Sequence, residues 1–484
     1  MNLMPPEARR DAAARPATEL RLAAEGMLSR AAGAALIGGN AVRLLRDAAE
    51  NYPAWLGAIA AARRSVLFEN YMIADDAVGR LFVEALAERA RAGVNVRVIH
   101  DWMGGLGTGS ARLLAPLVAS GAQVRCFNPP RIDSPFGWLT RDHRKMLAVD
   151  GETGYVSGLC VERRWAGDPS RAVAPWRDTG IEIRGPAVAD IVRAFAQTWT
   201  ACGGPALEVE PLPAAAGTVE LRVLAAQPSL AGLYRMDQMI AALARESLWL
   251  TDAYFVGIPT YVEALRAAAR DGVDVRLLVP GASDLPLVGR FSRAGYRPLL
   301  EAGIRVFEWN GTMLHAKTAV ADGRWSRVGS SNLNLASWIG NYELDIALDD
   351  IQAGAQMQSM YLDDLGNATE IVLGHRHRIR RTPGATRRRS GGGGAARAAA
   401  GALRIGNTVG AAFASRRILG PAEAGMLGSG ALAFLLFALL ALLAPLAVTV
   451  PLALLSAWIG LTLLVRAWRM RRGREDTASG QSGG

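Results

Sequence analysis

Two of the chain's five histidines sit in the same short frame. His143-Arg-Lys145-Met-Leu-Ala-Val-Asp150 reads H-x-K-x4-D, and His315-Ala-Lys317-Thr-Ala-Val-Ala-Asp322 repeats it 172 residues later. On a strand, residues i and i+2 point to one face, so His143 is expected to project with Lys145, and His315 with Lys317. A lysine beside each histidine argues against a metal site, where one cation would face another. It suits an anion: the ammonium holds a phosphate oxygen while the imidazole reaches phosphorus or a leaving oxygen. Two such half-sites brought together supply two roles. One imidazole attacks phosphorus and becomes a phosphohistidine. The other protonates the departing alkoxide, then deprotonates the incoming nucleophile. The motifs alone leave open which histidine plays which part.

Each imidazole also needs an acceptor to fix its tautomer. Candidates stand in matching places downstream: Asp178 in Trp176-Arg-Asp178-Thr179, and Glu343 in Asn341-Tyr-Glu343. The residues that follow them, TGIEI and LDIAL, both read as strands. Of the other histidines, His100 ends a strand and reads as structural, while His375 and His377 stand in an arginine run and read as solvated. There is no Walker loop, HExxH or GxSxG, which removes the kinase, zinc-protease and hydrolase-elbow readings.

The elements that must position these side chains are readable. After each lysine an apolar run ends in Asp-Gly (Asp150-Gly151, Asp322-Gly323), the signature of a strand entering a tight turn. Upstream, Ser65–Tyr71 is a β-rich run, Val78–Ala92 has helical spacing, and Val94–Ile99 alternates as a strand. The second half repeats this unit. VEALAERARAGVNVRVI (83–99) and VEALRAAARDGVDVRLL (262–278) align without a gap. The fold class is therefore α/β, built by a domain-sized internal duplication. The expected organisation is an Ala-rich leader (1–40), a first lobe (41–210), a linker at Pro211–Gly217, a second lobe (218–374), a basic linker (375–424) and an apolar segment (425–470).

The net charge of +10 favours polyanionic partners, nucleic acid or an anionic membrane surface. Cys126, Cys160 and Cys202 form no CxxC pair and no metal cluster, and read as reduced thiols. The N-terminus has early acidic residues and no apolar core, so no signal peptide is read there. From Gly425 to Val465 there are 41 residues without a charge, enough for two spans of about 20 residues. With Pro445 and Pro451 placed as a turn, the expectation is a transmembrane helical hairpin, Leu427–Ala444 and Leu452–Trp468. Arginines on both flanks (416 and 417; 466, 469, 471, 472 and 474) put both ends on the cytoplasmic side. Residues 376–417 hold eleven arginines and no acid, a basic strip suited to an anionic leaflet. A buried core hairpin or one long tilted helix is the alternative for the apolar segment, and a plain solvated linker for the basic one.

The residues quoted above resemble the phospholipase D superfamily and, within it, the bacterial cardiolipin synthases. The resemblance runs from about Arg43 to Ile371. It includes YMIADDAVG (71–79), HDWMG (100–104), PWRDTGIEIRGP (175–186), DAYFVGIP (252–259) and VGSSNLNLASWIGNYE (328–343). It implies two homologous phospholipase D-like lobes with pseudo-twofold symmetry and one active site at their interface. His143, Lys145, His315 and Lys317 would surround the phosphate, with Asn332 helping. Asp150 and Asp322 would be structural supports. The chain departs from the family pattern in two places. Cys160 ends Ser157-Gly-Leu-Cys160 where asparagine is usual, and Asn334-Leu-Ala336-Ser337 stands where many synthases show Asp-x-Arg-Ser. The hydrophobic segment is also C-terminal, whereas many synthases carry theirs at the N-terminus.

The resemblance implies a membrane-anchored phosphatidyltransferase, a cardiolipin synthase that needs no metal or organic cofactor. Its partners would be anionic phospholipids, phosphatidylglycerol foremost, at the bacterial inner membrane with the lobes on the cytoplasmic side. A phospholipase D that uses water, a phosphodiesterase-type nuclease and a silent membrane scaffold are the alternatives. The apolar segment and aromatic-rich strands favour lipid over nucleic acid. The sequence sets no oligomeric state.

Overall fold

A computed structural model describes residues 24–131, 139–207, 212–373 and 379–381, and 432–479 apart from 433, 434 and 437. It divides into two compact units, Met1–Phe127 with Arg141–Gly410, and Asn128–Thr140 with Ala411–Gly484.

The first unit is built on one mixed sheet of sixteen strands. Its first half comprises β1 (Ile37–Arg46), β2 (Ser65–Asn70), β3 (Asn95–Asp101), β4 (Gln123–Phe127), β5 (Lys145–Val149), β6 (Thr153–Ser157) and β7 (Thr179–Arg184). The second half comprises β8 (Val219–Ala226), β9 (Ser247–Thr251), β10 (Asp274–Pro280), β11 (Arg305–Trp309), β12 (Thr318–Ala321), β13 (Trp325–Gly329) and β14 (Glu343–Asp349). The two halves run through one order, β1-β7-β6-β5-β2-β3-β4 and β8-β14-β13-β12-β9-β10-β11, and meet where β1 pairs antiparallel with β8. Beyond β11 the sheet continues through β15 (Ala368–Leu373) and β16 (Ile379–Arg381).

The aligned fragments are the strand–helix–strand crossovers expected of them. The Ala77–Arg91 and Pro259–Arg270 helices each lead through a positive-φ glycine, Gly93 or Gly272, into a strand parallel to the one before the helix. The central strands β5, β9, β12 and β13 are buried along their whole length, in keeping with the largely apolar runs of β5, β9 and β12; β13 buries Ser326 and Arg327 as well. One apolar cluster runs along the sheet through both halves, joining Ile181, Ile183, Leu221, Val328 and Leu344 to the Val188–Ala201 and Ile351–Leu365 helices. Separate clusters fill the remaining core of each half.

β1 begins at Ile37 and a helix already runs from residue 24, within the stretch expected as leader. Residues 379–381, within the expected basic linker, form a sheet strand; the rest of 375–424, with His375 and His377, lies outside the described residues.

The second unit shows a difference from the sequence reading. Pro445 and Pro451 do not form a turn. Both lie in a single helix, Pro445–Ser479, and among the described residues a break at Ala444 separates it from the helical residues before it. Pro445 stands at the first helical position, where proline starts a helix readily; Pro451 lies inside the helix, and nothing in the structure explains its tolerance there. The start of the expected first span, 427–431, lies outside the described residues. Pro445–Thr462 is long and apolar enough to cross a membrane by length and composition, and Leu446, Leu454 and Leu461 on it are exposed.

Candidate active site

β5 and β12 each start at the motif lysine or just after it, so each histidine sits where the chain enters its strand. Two short parallel bridges between the halves hold these entries: Asp142 with Tyr342, and Arg177 with Leu314. The His143 amide donates to the Tyr342 carbonyl at 2.9 Å and the His315 amide to the Arg177 carbonyl at 2.7 Å. Each bridge lays the histidine of one half beside the acid of the other.

The side chains follow that exchange. His143 Nδ1 lies 2.9 Å from Glu343 Oε2, and His315 Nδ1 lies 2.8 Å from Asp178 Oδ2. All four are buried. Because a carboxylate only accepts, each Nδ1 carries the hydrogen and each Nε2 keeps its lone pair. Both acids are further fixed. Glu343 accepts from Ser330 Oγ at 2.6 Å, and Asp178 accepts from Trp165 Nε1 at 2.8 Å. Gly158 permits the second arrangement, since a methyl group there would meet Asp178 Oδ1 at 2.2 Å.

Lys145 donates to the His143 carbonyl at 2.6 Å, and Lys317 donates to the His315 carbonyl. Lys317 Nζ is 3.0 Å from His315 Nδ1 and 3.1 Å from Nε2. Near-equal distances place the ammonium over the ring, leaving the in-plane lone pair of Nε2 unspent. Lys145 and Lys317 also lie over the rings of Tyr71 and Tyr254, at 5.2 and 5.7 Å from the centroids. Those same rings touch His143 and His315 edge-on.

The electrostatics favour an incoming anion. Burial lowers both lysines, Lys317 to about 8. Burial, reinforced by the Lys317 charge, pushes His315 down to about 3, so its imidazole is neutral near pH 7. Burial works to raise Asp178, but His315, Lys317 and Trp165 outweigh it and hold the carboxyl below its usual value. Burial raises Glu343 against the pull of Lys145. Two buried ammoniums, each with a donor committed to a carbonyl, keep others to spend. A phosphate between the histidines would repay their desolvation.

Asn332 is buried, and its amide nitrogen and oxygen have no hydrogen-bond partner among the described residues. Such orphaned buried amides are exceptions in folded proteins. Asp150 and Asp322 lie elsewhere, in the turns that follow β5 and β12. Both have positive φ, as do Gly151 and Gly323 after them. Asp150 accepts from the amides of Arg63, Arg64 and Ser65, and Asp322 from those of Arg245, Glu246 and Ser247. They fasten the turns to the starts of β2 and β9. Asp322→Ala is therefore expected to cost about 1–3 kcal/mol of stability and to lower Tm by several degrees in a thermal melt, with turnover per folded molecule retained.

His143 and His315 line one cleft, with Tyr71, Cys160, Trp176 and Tyr254 among its walls. Arg164 and Asp284 reach the same cleft from opposite halves, 3.9 Å apart, and Asp284 accepts from the Tyr254 hydroxyl at 2.8 Å. Sequence reasoning did not single out Tyr71, Tyr254, Trp165 or Arg164 as site residues. The available signal was position: Tyr71 and Tyr254 follow β2 and β9, the strands beside the motif strands. Asp101 was also missed. It accepts from Arg141 Nη1 at 3.0 Å and from the Asp142 amide at 2.9 Å, fixing the approach to His143.

Twin H-x-K-x4-D motifs, meeting where two α/β halves of equal strand order exchange acids, define a phospholipase D-like architecture. The chain matches the family described as cardiolipin synthase, phospholipase D-like domain, over residues 56–199 and 238–364. It is 33% identical to cardiolipin synthase A of Pseudomonas aeruginosa over 349 residues, 71% of this chain and 70% of the relative. It is 29% identical to cardiolipin synthase 2 of Bacillus cereus over 348 residues, 70% of this chain and 67% of the relative. Among solved structures, phosphatidylserine synthase of Haemophilus influenzae superposes with a TM-score of 0.56 at 14% identity, covering 71% of this chain and 92% of that one. That likeness speaks for the fold. The chain belongs to this family: it is a cardiolipin synthase-like enzyme of the phospholipase D superfamily.

Proposed function

We propose that the protein is a phosphatidyltransferase that makes cardiolipin, joining the phosphatidyl group of one phospholipid to the free hydroxyl of phosphatidylglycerol. The observation that carries this reading is the crosswise pairing of His143 with Glu343 and His315 with Asp178. It fixes each ring through Nδ1, so that Nε2 is the nitrogen of each that would react at phosphorus. The second histidine takes up a proton on Nε2 once the phosphate's negative charge lies beside it. The first Nε2, unprotonated, attacks, a P–N bond forms, and the bond from phosphorus to the departing alcohol oxygen breaks as that imidazolium gives the oxygen its proton. The acceptor hydroxyl then attacks phosphorus, the second imidazole takes its proton, and the P–N bond breaks. Lys145, Lys317 and Asn332 hold the non-bridging oxygens, while Asp150 and Asp322 support the turns. No step calls on a metal or an organic cofactor.

The repeated strand order and the acid exchange support two homologous lobes related by a pseudo-twofold axis, with one active site between them. The aromatic and apolar cleft walls (Trp165, Trp176, Tyr254) support a lipid rather than a nucleic-acid substrate. The apolar C-terminal helix and the arginine-rich 375–424 stretch support anchoring at an anionic inner membrane with the lobes on the cytoplasmic side.

The deciding experiment incubates the purified full-length chain with phosphatidylglycerol and follows the lipids by mass spectrometry. Cardiolipin plus glycerol is the expected result. Phosphatidic acid alone overturns it for a hydrolase, and cleavage of labelled DNA without lipid turnover overturns it for a nuclease. The pH profile is a second check. Lys317, held at about 8, gives up its charge as pH rises through that value. Phosphate attraction then weakens, so kcat/KM, which reports the free enzyme, is expected to fall about tenfold per pH unit well above pH 8. A profile flat to pH 10 contradicts the assigned role.

A further inference from the structure

A second cavity of about 580 Å³ opens beside the catalytic cleft. Its walls include Trp102, Leu106, Cys126 and the glycines 105, 107 and 109. Leu106 lines the cleft as well, as do Met103 and Gly104 just before it. The segment Trp102–Ser110 is thus a partition with the histidines on one side and the cavity on the other.

The partition is firmly held on its cleft side. Asp101 accepts from the Met103 and Gly104 amides at 2.8 and 3.2 Å and so caps the short Trp102–Gly105 helix. Gly104 lies so close to Tyr71 that a methyl group would meet the Tyr71 carbonyl oxygen at 1.9 Å. On the cavity side it is open. Gly107 has φ +73° and nothing within 4 Å of where a side chain would begin. Leu106 is 42% exposed, although a leucine gains by being covered. His100, also in the wall, has its imidazole held below the usual value by burial, which leaves Arg112 as the one charged side chain among the described residues of the lining.

We propose that this cavity is the seat of a fatty acyl chain of the phospholipid whose phosphate lies between His143 and His315. The inference rests on the lipid reading above and deepens it. A substrate with its phosphorus at the histidines must send its chains out of a cleft too polar at its base to hold them. A mostly apolar cavity one residue away, sharing the exposed Leu106, offers a chain apolar surface to lie against. Such a seat makes the enzyme sensitive to chain length, since each methylene buried favours the longer substrate by about fourfold (about 0.8 kcal/mol) until the cavity is full.

Two measurements test this on the full-length protein. The first uses phosphatidylglycerol bearing a diazirine midway along one acyl chain, irradiated with the enzyme and mapped by peptide mass spectrometry. Crosslinks at 102–112 and at Cys126 are expected. Crosslinks confined to the C-terminal apolar helix or to the other cleft walls overturn the proposal. The second compares Cys126→Trp, which fills the cavity, with the parent chain across diacyl-phosphatidylglycerols of six to sixteen carbons per chain. The ratio of kcat/KM for the longest to the shortest substrate is expected to fall at least tenfold; an unchanged ratio overturns the proposal. Should the parent chain make no cardiolipin at all, the functional reading fails. The crosslink map on the unmodified chain still decides for or against the cavity if the tryptophan variant does not fold.

Discussion

Removing either imidazole, in His143→Ala or His315→Ala, is expected to lower cardiolipin formation by about 10⁴–10⁶-fold, because residues that act as a unit each cost nearly the whole chemical step when lost. The two variants differ in what they still do. The one lacking the nucleophile forms no covalent phosphatidyl-enzyme. The one lacking the proton donor still forms it from a substrate whose leaving group needs no protonation, such as a nitrophenyl phosphodiester. Rapid quenching into alkali, where phosphohistidine persists, with a labelled donor separates the two and assigns the roles that twin motifs leave open. Full turnover by either alanine variant overturns the paired-imidazole mechanism.

The second large effect comes from the orienting acids. Asp178→Asn and Glu343→Gln are each expected to reduce turnover by about 10²–10⁴-fold, since an amide can present the imidazole with the wrong donor and invert its tautomer. The crosswise geometry adds a sharper expectation. Asp178→Asn acts through His315 at 2.8 Å, and Glu343→Gln through His143 at 2.9 Å. Once His315 is gone, losing Asp178 has little left to damage. The double variant Asp178→Asn/His315→Ala is therefore expected to match His315→Ala alone, a coupling that a double-mutant cycle measures directly. Independent, multiplying losses in that pair would place the acid elsewhere in the mechanism.

How far the sequence carried is clearest in these same residues. His143, Lys145, His315 and Lys317 were visible because a repeated frame is a local signal. The turns after β5 and β12 were visible because Asp-Gly favours the positive φ that both pairs adopt. The two crossovers were visible because Gly93 and Gly272 close their helices at the same place in aligned fragments. The acids Asp178 and Glu343 were found as candidates, but not their exchange. His143 and Glu343 are 200 residues apart, and His315 and Asp178 are 137 apart. Nothing local distinguishes a partner in the same half from one across the seam. The cleft walls were hidden for a related reason. Trp165 and Tyr254 carry no local mark of a site; the connections after β6 and β9 bring them round the histidines. The C-terminal segment misled because proline alone does not say whether a helix is starting or stopping.

Each half lends a carboxylate to its neighbour and borrows one back, so neither imidazole is correctly dressed within its own half. An ångström of slippage at the β1–β8 seam would loosen both loans together, long before any strand came apart. Turnover in this enzyme is therefore a strain gauge for the seam. Mild denaturant or hydrostatic pressure should silence it while circular dichroism still sees an intact sheet, and if the proposed phosphate site is right, a phosphate held there should stiffen the joint.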